Sequence, residues 1–336
     1  METQKTPIVA VTMGDPTGVG PEVIAKALKA GMISPEHTII VGDLDVVRRA
    51  FNLVGLQLPI VSSTQPTLAS ERIAVADIGL KDVARIPIGK IDRLGGEAAA
   101  SSIRLSVQLA QTGQVNAVVS CPVNKTALNY AGYHYMDSTD FYTDLAGKKS
   151  HILLIHGGNV NAFMVSTHVS LRTALDMVTV DRVLTTIEAA HTTLVRLGIQ
   201  NPRIGVVGVN PHMGENGILG REEIEFLQPA IEAARARNIT VTGLVPAESL
   251  VTWTQQGLVD GVVSMYHDQA TTAMKPLGYS TFAIGLPFIR CAVGHGTAHD
   301  IAGTGKADPR VFVQTYQLAS RLAAGRYLTE ESHVHA

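Results

Sequence analysis

The chain has 336 residues, 46% of them hydrophobic and 17% charged, so it contains enough apolar material for one large domain or two. Its 27 basic and 29 acidic side chains leave a formal net charge of −2, which argues against a basic nucleic-acid-binding surface or a polybasic membrane anchor. The first residues lack the pattern of a secretory signal, no apolar stretch is long enough to span a membrane, and two cysteines are too few for a disulfide framework. These features predict a cytoplasmic protein that has neither nucleic acid nor membrane as a partner.

Short β-branched runs alternate with amphipathic stretches along most of the chain. The predicted strands are Pro7–Thr12, His37–Val41, Val115–Ser120, Ile152–Ile155, Asn161–Thr167, Arg203–Val209, Val259–Tyr266 and Thr281–Leu286. The predicted helices are Pro21–Ala30, Gly96–Gln111, Asp181–Leu197, Arg221–Arg237 and Pro309–Ala324. Such alternation is typical of an α/β fold with a largely parallel sheet covered by helices.

The first predicted strand is followed by a turn of sequence GDPTGVGPE, from Gly14 to Glu22. Its glycines and prolines predict a sharp connection into a helix that begins near Pro21. The segment matches neither the dinucleotide-binding nor the nucleotide-phosphate glycine pattern. We therefore interpret it as a strand-to-helix turn that lines a site, not as a phosphate-binding loop.

Three histidines follow directly after apolar runs, which end in FMVSTH at His168, VVGVNPH at His212 and VVSMYH at His267. In an open α/β sheet, ligands bind outside the carboxyl ends of the strands, so three such imidazoles can converge on one ion. A single histidine in this position is more often a structural or surface residue, but three together indicate a catalytic metal site. Nitrogen ligands favour zinc, with manganese, cobalt or nickel as alternatives and magnesium less suited, and Asp268 is a candidate acceptor that orients an imidazole.

A second candidate site lies in the glycine-rich segment GHGTAHDIAGTGKADP, from Gly294 to Pro309. Its small residues expose backbone N–H groups, and His295 and Asp300 can bond to or stack on a nucleotide. Composition alone leaves a cofactor loop and a plain connecting loop equally open.

This segment resembles the loop that holds the adenosine of the dinucleotide in isocitrate and isopropylmalate dehydrogenases. The whole chain is similar to the 4-hydroxythreonine-4-phosphate dehydrogenase family of vitamin B6 (pyridoxine) biosynthesis. The motifs that carry the resemblance are GDPTGVGPE, SCPVNK, STHVSLR, VNPHMGE, SMYHDQ, GLPFIR and HGTAHDIAGTGKADP.

The resemblance implies an α/β fold of the isocitrate/isopropylmalate-dehydrogenase type, with two α/β/α domains and a cleft between them. We expect residues 1–125 with 271–336 to form the first domain, which carries the cofactor loop. Residues 126–270 would form the second, which carries the metal ligands and the dimer interface. The resemblance also implies a homodimer whose active site is shared across the interface.

In function, the resemblance implies a metal-dependent, NAD- or NADP-linked oxidative decarboxylation of a small anionic substrate. His168, His212 and His267 match the family's metal ligands, and Asp268 and Lys275 are the expected catalytic residues. The expected cofactor-binding residues are Gly294, His295, Gly296, Thr297, Ala298, Asp300 and Asp308. The expected substrate-binding residues are Ser138, Thr139, Lys275, Thr281 and Arg290.

Two of these substrate positions depart from the family. Ser138 stands where a histidine is usual, and Thr281 stands where an asparagine is usual. The loss of an imidazole and an amide changes the hydrogen bonding of a pocket, so 4-hydroxythreonine 4-phosphate, threonate or erythronate 4-phosphate and a carboxylated cis-dihydrodiol all stay open as substrates. A phosphate acyltransferase shares the broad fold, but it would require neither the three histidines nor the cofactor loop.

Overall fold

The computed structural model describes residues 6–65 and 69–325, which form twelve strands and eleven α-helices. The strands are β1 (Val9–Thr12), β2 (Thr38–Gly42), β3 (Ile60–Ser62), β4 (Ile73–Asp77), β5 (Ala117–Ser120), β6 (Ile152–Gly157), β7 (Val160–Met164), β8 (Ile204–Val207), β9 (Val241–Val245), β10 (Gly261–Ser264), β11 (Ser280–Ile284) and β12 (Ile289–Val293). The helices are α1 (Gly20–Lys29), α2 (Leu44–Val54), α3 (Arg93–Gln111), α4 (Lys125–Tyr130), α5 (Ser138–Leu145), α6 (Leu171–Asp176), α7 (Val180–Arg196), α8 (Gln228–Ala236), α9 (Leu250–Gln255), α10 (His267–Met274) and α11 (Arg310–Ala324).

The chain forms two compact units, and the first contains Met1–His151 and Gly285–Ala324. Its strands lie in the order β3-β4-β2-β1-β5-β12, and every paired neighbour runs parallel. Strands β1, β2 and β5 are buried along their whole length, as is usual for parallel strands with both faces covered. Side chains of α3 and α5 contribute to the same apolar core, together with residues of β1, β2, β4 and β5.

Local signals explain where several helices of this unit begin. Pro21 occupies the first turn of α1, where a missing backbone N–H costs no hydrogen bond. The side chains of Asp43, Asp92 and Asp137 cap α2, α3 and α5 by accepting a backbone N–H of the first turn. The Asp137 cap fixes the start of α5, so that Ser138 and Thr139 are its first two residues.

The second unit contains Ile152–Ile284. Its strands lie in the order β11-β6-β7-β10-β8-β9; β6 runs antiparallel to both β11 and β7, and the remaining pairs are parallel. An apolar core forms around residues of β6, β7 and β10 together with α10. Because β7, β10 and β8 are parallel neighbours, their carboxyl ends lie at one edge of the sheet.

The predicted α/β class is confirmed, and all eight predicted strands and four of the five predicted helices are present within a few residues. In the fifth, predicted as Arg221–Arg237, a π-helical turn at Glu223–Leu227 precedes α8. Prediction of a largely parallel sheet is correct for the first unit, whereas the hairpin of β6 and β7 and the pairing with β11 make the second unit mixed. Four strands, β3, β4, β9 and β12, were not predicted. No helix in the described part of the chain is both long and apolar enough to cross a membrane.

The boundaries of the two units differ from those of the predicted domains, 1–125 with 271–336 and 126–270. The units change at His151/Ile152 and at Ile284/Gly285. Helix α5 stays with the first unit because it packs against α3, and β11 stays with the second because it pairs with β6. Residues 1–5, 66–68 and 326–336 of the predicted first domain lie outside the described residues.

Candidate active site

Arg290 lies in β12, and its side chain is fully buried. Its guanidinium donates hydrogen bonds to three hydroxyl oxygens, which belong to Ser120 (3.0 Å), Thr139 (2.8 Å) and Ser138 (2.9 Å). The cation also lies 4.7 Å from the centroid of the Tyr142 ring. Burial lowers the pKa of the Arg290 guanidinium, but an arginine remains protonated in proteins. Since hydroxyl groups carry no charge, these contacts orient the cation without neutralising it, which suits it to bind an anionic group.

Different elements supply the three hydroxyl groups. Ser120 is the last residue of β5, and the strand pairing sets it beside Ala292 of β12. Ser138 and Thr139 open α5, where the Asp137 cap holds them in place. The sequence indicated Ser138, Thr139 and Arg290 as substrate-binding residues, and in the structure Arg290 contacts both Ser138 and Thr139 directly. Ser120 and Tyr142 were missed, although a serine at a strand end is a visible signal.

His168 and His267 lie together in the second unit, with ring centroids 5.3 Å apart. They line one cavity of about 280 Å³. Two imidazoles on one tetrahedral zinc ion have centroids about 5 Å apart, because the Zn–N distance is about 2.0–2.1 Å. Asp268 Oδ1 lies 2.6 Å from Nδ1 of His267, a contact that leaves Nε2 to bind a metal. The pair therefore fits two positions of a zinc-type site.

His212 follows β8 and lies in the turn Pro211–Gly217, which is left-handed at His212, Met213, Glu215 and Asn216. Consecutive non-glycine residues with positive φ are strained, and such strain concentrates at functional sites. The turn is held by Glu223, whose Oε1 accepts the backbone N–H groups of Val209 and Asn210, both at 2.7 Å. No group of three possible metal ligands occurs within the described residues, so His168 and His267 meet but His212 does not complete a triad with them.

Lys275 and Thr281 belong to the second unit as well. Lys275 is exposed just after α10, with its Nζ 5.7 Å from the centroid of the Tyr279 ring. Thr281 is half-buried in β11, opposite Ile155 of β6. The structure thus leaves Lys275 reachable by a substrate, while Thr281 is part of a strand pair.

The Gly294–Pro309 loop follows β12 directly and has the features of a dinucleotide-binding loop. Nε2 of His295 is buried and has no hydrogen-bond partner within the described chain, so it is available to a bound ligand. A Cβ added to Gly296 would meet open space, so the backbone there is accessible. Gly303 and Gly305 have φ of 74° and 75°, values that favour glycine. The loop therefore fits the group that its sequence predicts.

The remaining predicted cofactor residues occupy distinct places in this loop. Thr297 accepts the backbone N–H of Val19 at its carbonyl, and Ala298 has a positive φ of 43°. Asp300 is exposed. Asp308 accepts hydrogen bonds from Arg310, which lower the pKa of its carboxyl group.

The model of one protein family, described as "Pyridoxal phosphate biosynthetic protein PdxA", matches residues 34–319. The chain belongs to the PdxA family. Membership confirms the family that the sequence motifs indicated.

Two curated relatives and one crystal structure in this family cover nearly the whole chain. D-threonate 4-phosphate dehydrogenase of Pectobacterium atrosepticum is 40% identical over 323 residues, which are 94% of this chain and 99% of the relative. The enzyme of the same name from Salmonella typhimurium is 37% identical and covers 95% and 100%. The crystal structure of 4-hydroxythreonine-4-phosphate dehydrogenase from Klebsiella pneumoniae is 36% identical, covers 96% and 100%, and superposes with a TM-score of 0.84.

These PdxA-family relatives confirm the predicted class of enzyme, an oxidoreductase that acts on a CH–OH group. The acyltransferase alternative is thereby set aside. A dehydrogenase of this family implies a nicotinamide cofactor.

Replacement of Asp268 tests whether it orients a metal-binding imidazole in this PdxA-family enzyme. We expect Asp268→Asn to weaken metal binding about 10- to 100-fold, the usual effect of losing the charged partner of a ligand histidine. Competition of the purified protein with a chelator measures this affinity. Asp45→Asn is the matched control, because Asp45 is an exposed aspartate bound to Arg48 of the same helix. Equal metal affinity in the two variants would contradict the assignment.

Proposed function

We propose that this chain catalyses the metal-dependent, NAD- or NADP-linked oxidative decarboxylation of D-threonate 4-phosphate. The single observation that carries the proposal is the contact between Arg290 and Ser138, at the position where the family usually has a histidine. The name shared by the two curated relatives supports the same substrate. 4-Hydroxythreonine 4-phosphate is the alternative, which the name of the Klebsiella pneumoniae structure supports.

The two substrates differ at carbon 2, which carries a hydroxyl group in threonate and an ammonium group in hydroxythreonine. Ser138 accepts a hydrogen bond from Arg290 Nη2, so its own O–H can donate to a substrate oxygen. A substrate hydroxyl can accept that bond, whereas an ammonium group has only donors. Together with the nearby positive charge of Arg290, this geometry favours the hydroxy acid over the amino acid.

The reaction oxidises the hydroxyl carbon that is β to the carboxylate and then cleaves the bond between the carboxylate carbon and carbon 2. The carbinol carbon loses a hydride and its oxygen loses a proton, which gives a β-keto acid. Loss of carbon dioxide leaves the electron pair on carbon 2, where a proton is then added. A nicotinamide bound by the Gly294–Pro309 loop would supply the hydride acceptor, and a divalent metal held by His168 and His267 would supply stabilisation of negative charge on oxygen.

The chain's own residues bind the anion and move the protons. Arg290 would hold an acidic group of the substrate through its oriented guanidinium, with Thr139 fixing the cation. Lys275 would bind a second anionic group or supply the proton to carbon 2, because its side chain is exposed and an ammonium group can do either. Thr281 would offer a hydroxyl where relatives offer an amide.

His168 and His267 would hold the metal, with Asp268 orienting the second imidazole. Zinc suits these nitrogen ligands best, with manganese, cobalt, nickel or magnesium as alternatives. We propose that His212 completes the site from a second subunit of a homodimer. Exposed apolar side chains flank both histidine segments and would be covered by such an interface: Val169, Leu171 and Leu175 near His168, and Ile218, Leu219 and Ile224 near His212.

The loop Gly294–Pro309 would bind the dinucleotide through its exposed backbone, and the ligand would supply a hydrogen-bond partner for Nε2 of His295.

We further propose that the enzyme works in the cytoplasm, since Cys121 and Cys291 are both buried as free thiols.

A substrate panel tests the proposal. The protein, supplied with zinc or manganese and with NAD or NADP, would be assayed for reduced cofactor and carbon dioxide. The panel contains D-threonate, D-erythronate and 4-hydroxythreonine 4-phosphates and a carboxylated cis-dihydrodiol. The expected result is the highest kcat/KM with D-threonate 4-phosphate. A higher value with any other member would overturn the proposed substrate.

Ser138→His tests the specificity argument directly. The imidazole removes the hydroxyl that bonds Arg290 and offers a nitrogen acceptor, which an ammonium group can use. We expect the ratio of kcat/KM for D-threonate 4-phosphate over 4-hydroxythreonine 4-phosphate to fall by about tenfold or more, within the range that one polar contact can discriminate. Ser62→His is the control, because Ser62 is an exposed residue of the edge strand β3. An unchanged ratio in Ser138→His would show that Ser138 does not select the substrate.

A further inference from the structure

The cofactor loop, Gly294–Pro309, is hydrogen-bonded to the turn Gly14–Glu22 and to the helix α1. The backbone N–H of Val19 donates to the carbonyl of Thr297 at 2.9 Å, and a Cβ at Gly18 would lie 2.9 Å from the same oxygen. The two segments are therefore packed backbone against backbone. The turn, which the sequence shows only as a glycine-rich connection, thus packs directly against the cofactor loop.

Glu22 binds the middle of the loop from the first turn of α1. Its side chain is 2% exposed, and its two oxygens accept the backbone N–H groups of Gly303 (3.1 Å) and Ala307 (2.9 Å). Gly303 has a left-handed backbone, so no regular helix or strand supplies an acceptor for its N–H group. A buried carboxylate thus fixes two points of an irregular segment.

Lys26 binds the same part of the loop one helical turn later. Its Nζ donates to the carbonyls of Gly305 (2.6 Å) and Ala307 (2.7 Å) and lies 3.3 Å from Oε1 of Glu22. Residues four apart on a helix share a face, which brings the two charges together on the loop side of α1. The Glu22–Lys26 ion pair therefore makes hydrogen bonds to four backbone groups, which are two N–H groups and two carbonyls between Gly303 and Ala307.

We propose that Glu22 and Lys26 are positioning residues that keep the loop in the conformation that binds the dinucleotide. The inference rests on the proposed role of this loop as the cofactor site. A glycine-rich loop has many conformations when it is not held, and selecting one of them weakens binding. Ordering the loop before the cofactor arrives removes that cost from the binding step. The ion pair is accordingly expected to act on cofactor affinity and not on the chemical step.

Lys26→Met and Lys29→Met form a matched pair of variants. Both lysines lie in α1 and donate to a backbone carbonyl, but Lys29 binds Val54 of α2 and not the loop. We expect Lys26→Met to raise the Kd for NADH, measured by fluorescence titration without substrate, by about tenfold, which corresponds to about 1.4 kcal/mol. KM for NAD should rise in parallel, kcat at saturating NAD should stay within about twofold, and Lys29→Met should match the unmodified protein.

Hydrogen exchange supplies a readout that is independent of activity. In Lys26→Met and in Glu22→Gln, the amides of Gly303 and Ala307 should exchange faster than in Lys29→Met, and NADH should restore their protection. An unchanged Kd for NADH in Lys26→Met, or a fall in kcat with Kd unchanged, would overturn the positioning role. If the unmodified protein binds neither NADH nor NADPH, the proposed cofactor site itself is wrong, which is a separate result.

Discussion

Arg290→Lys is expected to lower kcat/KM for the phosphorylated substrate by about 30-fold or more, because disrupting a buried, hydrogen-bonded charge contact costs about 2–5 kcal/mol. Lysine keeps the charge but cannot reproduce the fixed guanidinium that donates to Ser120, Ser138 and Thr139. Steady-state kinetics with saturating cofactor measure the effect. The control is Arg85→Lys, because Arg85 forms an exposed ion pair with Asp82.

Two further measurements separate loss of function from loss of folding. Circular dichroism should show the same secondary structure in Arg290→Lys as in the unmodified protein. In Arg290→Ala, added guanidinium ion should restore part of the activity by entering the space that the side chain leaves. If Arg290→Lys keeps kcat/KM within a few fold of the Arg85→Lys control, the anion-binding role of Arg290 is wrong.

Mixed dimers are expected to regain activity that neither parent variant has. His212→Ala and His267→Ala should each lose bound metal and nearly all turnover. If each site takes His168 and His267 from one subunit and His212 from the other, a dimer of the two variants contains one intact site and one without either ligand. Such a mixed dimer should recover about half of the activity of the unmodified dimer, because a twofold dimer has two equivalent sites.

Metal analysis of the isolated mixed dimer checks the same prediction and should find metal at one of its two sites. His191→Ala is the control, since His191 lies in α7 and belongs to neither histidine segment. No recovery in the mixed dimer would mean that all three ligands come from one chain, and full metal content in His212→Ala would remove that residue from the site.

The sequence predicted those parts of the fold that local chemistry determines. Strands β1, β5 and β10 are short β-branched runs, and His168, His212 and His267 follow three parallel neighbours as their positions indicated. Strand β12 was missed because Arg290 interrupts its apolar pattern. Strand β9 was missed because its sequence is only partly buried and contains Gly243 with a positive φ of 130°.

Contacts between distant segments are what the sequence did not reveal. The hydroxyl groups around Arg290 come from β5 and α5, and no spacing rule joins them to a residue in β12. Glu22 and Lys26 show an ordinary helical pairing in sequence, and only the fold sets them against residues 303–307. The separation of His212 from the other two histidines is likewise a tertiary feature, since its turn bends the chain through left-handed residues.

Metal-dependent oxidative decarboxylation is tested by measuring the products of one reaction before and after metal removal. Protein treated with a chelator, and the same protein with zinc or manganese restored, would be given D-threonate 4-phosphate and NAD or NADP. We expect no product without metal, and reduced cofactor and carbon dioxide in equal amounts once metal is restored. Reduced cofactor without carbon dioxide, or full turnover by the metal-free protein, would contradict this expectation.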